Sequence, residues 1–142
     1  MKKILKSSAC IILSVLFVVC LVACNTADKA DVWEMATYRK DTSFGNGSKT
    51  ATVEVKVEEE SVVFTIKTDK DTVGEALFEH KLIDGEEGQY GLYVKTVNGI
   101  TADYDTDKSY WAFYIDGEYA ISGVDSTEIT EGVTYQLVYT KE

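Results

Sequence analysis

Few side chains in this sequence are of a type that could carry out catalysis. The only histidine is His80, and the three cysteines are Cys10, Cys20 and Cys24, of which the first two lie in an N-terminal apolar stretch. A Ser/His/Asp or Cys/His arrangement needs a histidine beside a nucleophile, and no Gly-rich phosphate loop of either usual form occurs. Carboxylates are plentiful, as in any acidic protein, so their number does not indicate glycosidase chemistry. We therefore expect that the protein is not an enzyme and has no cofactor.

Cys24 is the residue whose surroundings indicate a specific chemical fate. Lys2, Lys3 and Lys6 give the chain a positive start, an apolar stretch runs over residues 9–22, and small residues lead into Cys24. This is the layout of a secretory signal, and with cysteine at the cleavage position it resembles the bacterial lipobox. In that motif the thiol receives a diacylglyceryl group, and the cysteine becomes the mature N-terminus.

Two other interpretations of this segment stay open: an ordinary signal peptide with a chance cysteine, or a single membrane-spanning helix. The apolar run is shorter than the roughly 20 residues that a membrane span needs. We therefore expect a lipoprotein signal peptide over residues 1–23, followed by a lipidated N-terminus and tether over residues 24–50. Two acyl chains hold a protein at a membrane where one does not. The expected location is the extracytoplasmic face of a bacterial cell membrane, with the lipid anchor as the membrane contact.

The charge balance excludes one class of partner. Without the three lysines of the signal segment, the chain keeps 11 basic residues against 24 acidic ones, a net charge near −13. Such a surface repels nucleic acid and anionic lipid headgroups. We therefore expect no nucleic-acid partner.

Three alternating aspartates, Asp103, Asp105 and Asp107, have the spacing that begins a calcium-binding loop. That loop also needs a glycine at its sixth position and a glutamate at its twelfth, and both are missing here. The pattern therefore predicts a solvated loop, and we expect no metal site.

Alternating apolar and polar residues predict the first two strands. Apolar side chains occupy every second position over residues 51–57 and again over 62–66, which is the pattern of half-buried strands joined as a hairpin. Further segments are predicted as an acidic loop at 84–88, a short strand at 91–95, a turn at 98–99, a polar loop at 101–109, and strands at 110–115, 118–121 and 134–140.

One helix is predicted between these strands. Thr72 and Glu75 match the Thr-x-x-Glu capping box, in which each side chain satisfies a free backbone donor. His80 falls at the expected helix end. Gly74 lowers the helix propensity by about 1 kcal/mol relative to alanine, which indicates a close neighbour that needs the space. One helix packed on a mostly antiparallel sheet gives an α+β fold.

The aromatic residues are the best indication of a binding surface. Eight of the nine tyrosines lie at position 90 or later, and the strand predicted at 110–115 is apolar on both faces. Either it is a fully buried central strand, or one face is a stacking platform for a planar or sugar-like ligand. The candidate ligand-binding residues are Tyr104, Tyr110, Trp111 and Tyr119.

Several short motifs follow one another in a characteristic order in the C-terminal part of the chain. They are Thr72–Leu77, Tyr90–Val94, Val97–Ile100, Tyr110–Gly117, Gly123–Asp125 and Glu131–Tyr135. Together they resemble the transcobalamin-like C-terminal domain found in bacterial surface lipoproteins, over residues 51–142. The resemblance implies a β-grasp-like domain related to the smaller domain of the vitamin carriers, with cobalamin or another corrinoid as ligand. We expect the protein to lack the larger helical domain of those carriers.

These observations lead to two functional hypotheses. In the first, the protein is a lipid-anchored extracytoplasmic module that binds a small molecule such as a corrinoid and hands it to a transporter or another partner protein. In the second, it is a protein-interaction module of the cell envelope without a small ligand, and a free sheet edge accepts a partner strand.

Overall fold

The computed structural model describes residues 31–142. The predicted signal peptide and the lipidation of Cys24 lie outside the described residues. No helix within residues 31–142 is long and apolar enough to cross a membrane. The strands are β1 (Thr42–Gly45), β2 (Lys49–Val57), β3 (Glu60–Thr68), β4 (Ile83–Gly88), β5 (Gly91–Val97), β6 (Ile100–Thr101), β7 (Ser109–Ile115), β8 (Glu118–Tyr119) and β9 (Thr134–Lys141). The helices are α1 (Val73–Glu79) and α2 (Tyr104–Asp107), with single 3-10 turns at Val32–Met35 and Val124–Ser126.

The strands form two sheets. The larger sheet has six strands in the order β1-β3-β2-β9-β7-β8, and the smaller one has three in the order β4-β5-β6. Two pairs, β1 with β3 and β2 with β9, are parallel, and the other pairs are antiparallel. The predicted hairpin of β2 and β3 and the predicted strand β9 are confirmed. With α1 packed against these sheets, the α+β class is confirmed as well.

The core lies on one face of the six-stranded sheet. Every second side chain of β2 and β3 is fully buried there, against α1 and the start of the smaller sheet. Among the side chains that are less than 2% exposed, the largest are Tyr135, Phe64, Ile66, Leu77, Leu82, Ile100 and Leu137. Because this core is complete within residues 31–142, a chain that begins at Asn25 is expected to fold by itself.

The N-terminal part of the described chain packs on the domain, although the sequence placed it in the tether of residues 24–50. Trp33 is 7% exposed and belongs to the core. The Asn98 side chain holds Tyr38 by two bonds, with Oδ1 accepting from the Tyr38 N–H and Nδ2 donating to its carbonyl. Met35, by contrast, is 60% exposed. The compact unit therefore begins at Asp31.

Two predicted loops are wrong. Residues 84–88 form most of β4, because Gly85 lets the two backbones approach: a Cβ there would lie 2.1 Å from the Tyr93 carbonyl oxygen. Glu86 is also paired with Lys95 across the strands. The second loop, 101–109, contains α2, which Asp103 caps by accepting from two backbone N–H groups.

Gly74 has the close neighbour that the sequence predicted. The helix begins with the complete Thr72/Glu75 capping box, and Gly74 is the second residue after the cap. A Cβ at Gly74 would lie 2.9 Å from the Asp125 Cα and 3.0 Å from its nitrogen. These are backbone atoms, which cannot rotate away as a flexible side chain can.

We expect Gly74→Ala to lower the free energy of unfolding by about 1–2 kcal/mol, since overpacking outweighs the gain of about 1 kcal/mol in helix propensity. Urea denaturation of residues 25–142 measures this. Gly88→Ala is the matched control, because its Cβ would meet only the Gly91 carbonyl oxygen at 3.4 Å. A Gly74→Ala variant as stable as the parent would contradict the predicted clash.

Candidate functional site: an exposed tyrosine face

Four tyrosines lie together on the outer face of the larger sheet, opposite the core. Because side chains alternate along a strand, Tyr110 and Tyr114 of β7 point away from the core, and Tyr119 lies directly opposite Tyr114 on β8. Their rings meet edge to face, with 5.5 Å between the centroids of Tyr114 and Tyr119. The Tyr104 ring lies 6.4 Å from that of Tyr110. We call these four residues the tyrosine face.

Trp111, a predicted ligand-binding residue, is on the opposite side of β7. It is 8% exposed, its Nε1 donates to the Ile100 carbonyl at 3.2 Å, and its ring meets Tyr139 edge to face. This corrects the prediction: the pleat turns Trp111 into the core, where it cannot stack on a ligand. β7 is therefore not buried on both faces: Trp111 lies in the core, and Tyr110 and Tyr114 are half-buried on the other side.

The structure brings the other predicted residues together and adds Tyr114, which the sequence analysis did not select. The signal that could have found it is the two-residue period, which places Tyr110, Ala112 and Tyr114 on one face. Exposure within the tyrosine face rises from half-buried Tyr110 and Tyr114 to Tyr104 at 38% and Tyr119 at 66%.

The tyrosine face ends where the sheet becomes polar. Val138 of β9 lies beside Ala112, and Gln136 lies beside Tyr114. The Gln136 amide donates to the Glu54 carboxylate at 2.7 Å. Glu54 lies on β2, where the polar part of this sheet face, formed by β2 and β3, begins. The apolar contact surface is therefore limited to the β9-β7-β8 side of the sheet.

Tyr104 is held at its position by hydrogen bonding and charge. Its hydroxyl donates to the Glu142 carboxylate at 2.7 Å, and the Lys108 Nζ lies 4.5 Å from its ring centroid. The hydrogen bond to Glu142 is the largest cause that raises the pKa of Tyr104, followed by the charge of the same carboxylate.

Tyr110 shares this electrostatic environment. Burial is the main cause that raises its pKa, and the charge of Glu142 adds to it, followed by Tyr119 and Tyr114. Tyr110 and Tyr114 are four residues apart on the same side of β7, so the two ring pairs lie side by side on one face of the sheet. The phenols of the tyrosine face are hydrogen-bond donors and apolar stacking surfaces.

Two of the three aspartates that resembled a calcium loop, Asp103 and Asp107, have structural partners. Asp103 caps α2, and Asp107 accepts from the Ser109 N–H at 3.1 Å and from the Lys141 Nζ at 3.3 Å. Within residues 31–142, no three His, Cys, Asp or Glu side chains converge as metal ligands would.

A cleft of about 370 Å³ lies away from the tyrosine face, where β1, β3 and α1 end. His80 lines it and is the C-cap residue of α1, as the sequence predicted. Its Nε2 is buried and has no hydrogen-bond partner among the described residues. The tyrosines are absent from the lining of this cleft, so stacking chemistry is confined to the open sheet face.

We expect Glu142→Gln to bring the pKa of Tyr104 back toward its ordinary value of 10.0, because the carboxylate that opposes phenolate formation is lost. The stabilisation from this hydrogen bond is fully present below the ordinary pKa and is lost as the pH rises through the raised one. Ultraviolet titration of tyrosine, with Tyr104→Phe to assign the signal, measures the shift. Glu118→Gln is the control with equal charge, and an equal shift in both variants would contradict this role of Glu142.

Comparison with known proteins identifies relatives of the domain. A family described as "Domain of unknown function (DUF4430)" matches residues 70–141. A "putative metal binding protein" from Ruminococcus gnavus ATCC 29149 is 33% identical, with a TM-score of 0.63, over 67% of this chain and 99% of that one. No curated protein matches the chain.

Haptocorrin in complex with Cbi is a more distant structural neighbour. It is 19% identical, with a TM-score of 0.53, over 69% of this chain. Only 27% of haptocorrin is covered, so the likeness concerns one part of that protein and shows a shared fold. This supports the transcobalamin-like fold expected from the sequence. Since the matched residues 70–141 are half of the 142-residue chain, the chain belongs to the DUF4430 family.

Proposed function

We propose that the protein is a lipid-anchored extracytoplasmic module that binds a small molecule on its tyrosine face and hands it to a transporter or another envelope protein. The observation that carries the proposal is the uncovered group of Tyr104, Tyr110, Tyr114 and Tyr119. Aromatic side chains in an exposed patch are typical of binding surfaces, because they bury a large area at a low cost in conformational entropy.

The ligand class within this proposal is cobalamin or another corrinoid. The shared fold with haptocorrin, whose structure contains Cbi, is the reason to begin there. The β-grasp-like character of the domain belongs to the same proposal. The name of the Ruminococcus protein suggests a metal ligand instead, but no three His, Cys, Asp or Glu side chains of residues 31–142 converge as metal ligands would.

The membrane location in this proposal depends on Cys24 and the sequence before it. A diacylglyceryl group there would leave residues 25–30 between the lipid and the compact unit that starts at Asp31. Six residues span at most about 20 Å when extended, so the binding module would work close to the membrane surface. The role is non-enzymatic, consistent with the single histidine and the lack of a thiol after Cys24.

Titration of residues 25–142 with cobalamin and cobinamide tests the ligand class by calorimetry. We expect saturable binding that Tyr119→Ala weakens by about 1 kcal/mol, near the loss of one aromatic contact. Tyr90→Ala is the matched control, since Tyr90 is 94% exposed in the β4–β5 turn, outside the tyrosine face. No heat with either ligand would refute the corrinoid class, and equal losses in both variants would refute this site.

One observation favours the second hypothesis, a protein-interaction module. β4 is an edge strand of six residues, whereas the edge strands of the larger sheet, β1 and β8, have only four and two residues. Long edges are the ones that can accept a partner strand. The exposed Asp84, Glu86 and Glu87 would select a basic partner segment.

The two hypotheses can be distinguished by replacing Glu87 with a photo-crosslinking residue and irradiating cells that produce the protein. A protein-interaction module is expected to give one discrete adduct from Glu87 and none from Glu59, an exposed control in the β2–β3 turn. Adducts of equal yield at both positions would refute a specific partner at the β4 edge.

A further inference from the structure

One end of the tyrosine face already holds a positive charge. The Lys108 ammonium lies over the Tyr104 ring, 4.5 Å from its centroid. A cation within about 6 Å of a tyrosine ring is attracted by the negative charge of the ring face. The Lys108 backbone is fixed, since its N–H donates to the Tyr104 carbonyl and its own carbonyl accepts from Glu142. Its side chain is exposed, so the ammonium can leave the ring for solvent.

A carboxylate stands beside the same ring. Glu142 accepts the Tyr104 hydroxyl at 2.7 Å, and its backbone N–H donates to the Lys108 carbonyl at 3.1 Å. Its charge is also felt at Tyr110, whose ring lies 6.4 Å from that of Tyr104. Two aromatic rings next to a fixed carboxylate can stabilise an alkylated ammonium group. Such a group is attracted by aromatic ring faces and not by hydrogen-bond donors.

We propose that Tyr104, Tyr110 and Glu142 form a site for the alkylammonium group of a small ligand, and that the Lys108 side chain occupies this site when no ligand is bound. The inference rests on the proposed binding role of the tyrosine face and adds the charge class of the ligand. The net charge of −10 also favours a cationic ligand, because an acidic protein raises the local concentration of cations.

Choline and its uncharged isostere 3,3-dimethylbutanol test the charge class, since they differ mainly in the replacement of nitrogen by carbon. Residues 25–142 are titrated with each probe while the ring signals of Tyr104 and Tyr110 are followed by NMR. We expect saturable shifts with choline and about fivefold weaker binding of the isostere, the usual size of a cation–aromatic contact at an exposed site.

Two variants test the residues. Lys108→Met is expected to strengthen choline binding about two- to threefold. In the parent protein the Lys108 ammonium competes with choline for the site, and this competition lowers the apparent affinity. Glu142→Gln is expected to weaken it. Lys67→Met is the matched control for the loss of one positive charge, since Lys67 is exposed on β3, three strands away from β7.

The outcomes separate this inference from the proposed function. Equal binding of the two probes, or no binding of either to the parent and to Lys108→Met, would overturn the cation site. Equal effects of Lys108→Met and Lys67→Met would overturn the role of Lys108 as internal occupant. If choline shows no preference while cobinamide still binds in a Tyr119-dependent manner, the inference fails and the proposed function stands. Choline binding without corrinoid binding supports the cation site and removes the corrinoid class.

Discussion

The pleat of β7 is the constraint on which the rest of the domain depends. This strand is apolar on both sides, and its pairing with β9 decides which side enters the core. Trp111 and Phe113 face inward and meet Tyr139 and Tyr135, while Tyr110 and Tyr114 face outward. A register slip of one residue would exchange the two sides and bring the tyrosines into the core. The stacking of Phe113 on Tyr135, at 6.2 Å between centroids, and the hydrogen bond of the Trp111 indole both oppose such a slip. The position of the tyrosine face is therefore a consequence of core packing.

Two tyrosines of this domain, Tyr135 and Tyr104, differ in the hydrogen-bond partners of their hydroxyl groups. Tyr135 is 1% exposed, and its hydroxyl is satisfied inside the domain by the Glu128 carbonyl and the Thr130 N–H. A buried phenol without partners would lower stability, so these backbone contacts explain why a tyrosine is tolerated in the core. The hydroxyl of Tyr104 instead bonds to a carboxylate at the surface. Residue type alone does not distinguish a buried tyrosine from a surface tyrosine, whereas the place of its segment in the fold does.

Local patterns explain which elements could be predicted from the sequence. The alternation in β2 and β3, the capping box of α1 and the turn at Asn98-Gly99 are short-range signals, and the structure reproduces all of them. β4 could not be predicted in this way, because its acidic residues are stable in a strand only through pairing with β5. The parallel contact of β1 with β3 depends on a distant segment as well. For the candidate site, the aromatic content of the sequence indicated β7, which in the structure has Tyr110 and Tyr114 on its outer side. The assignment of Trp111 was wrong because the sequence shows only that both faces of β7 are apolar. It does not show which face the helix and the smaller sheet cover.

Two phenols of the tyrosine face, those of Tyr104 and Tyr110, have raised pKa values. A raised pKa keeps a phenol in its neutral form, which can donate a hydrogen bond. Here Glu142 raises the pKa of Tyr104, and burial raises that of Tyr110. Both phenols are consequently neutral at any physiological pH and keep their O–H donors. What the face offers is a set of aromatic rings, with the Tyr104 hydroxyl held by one carboxylate. Rings and a carboxylate of this kind are the groups that recognise the shape and charge of a ligand in aromatic binding surfaces.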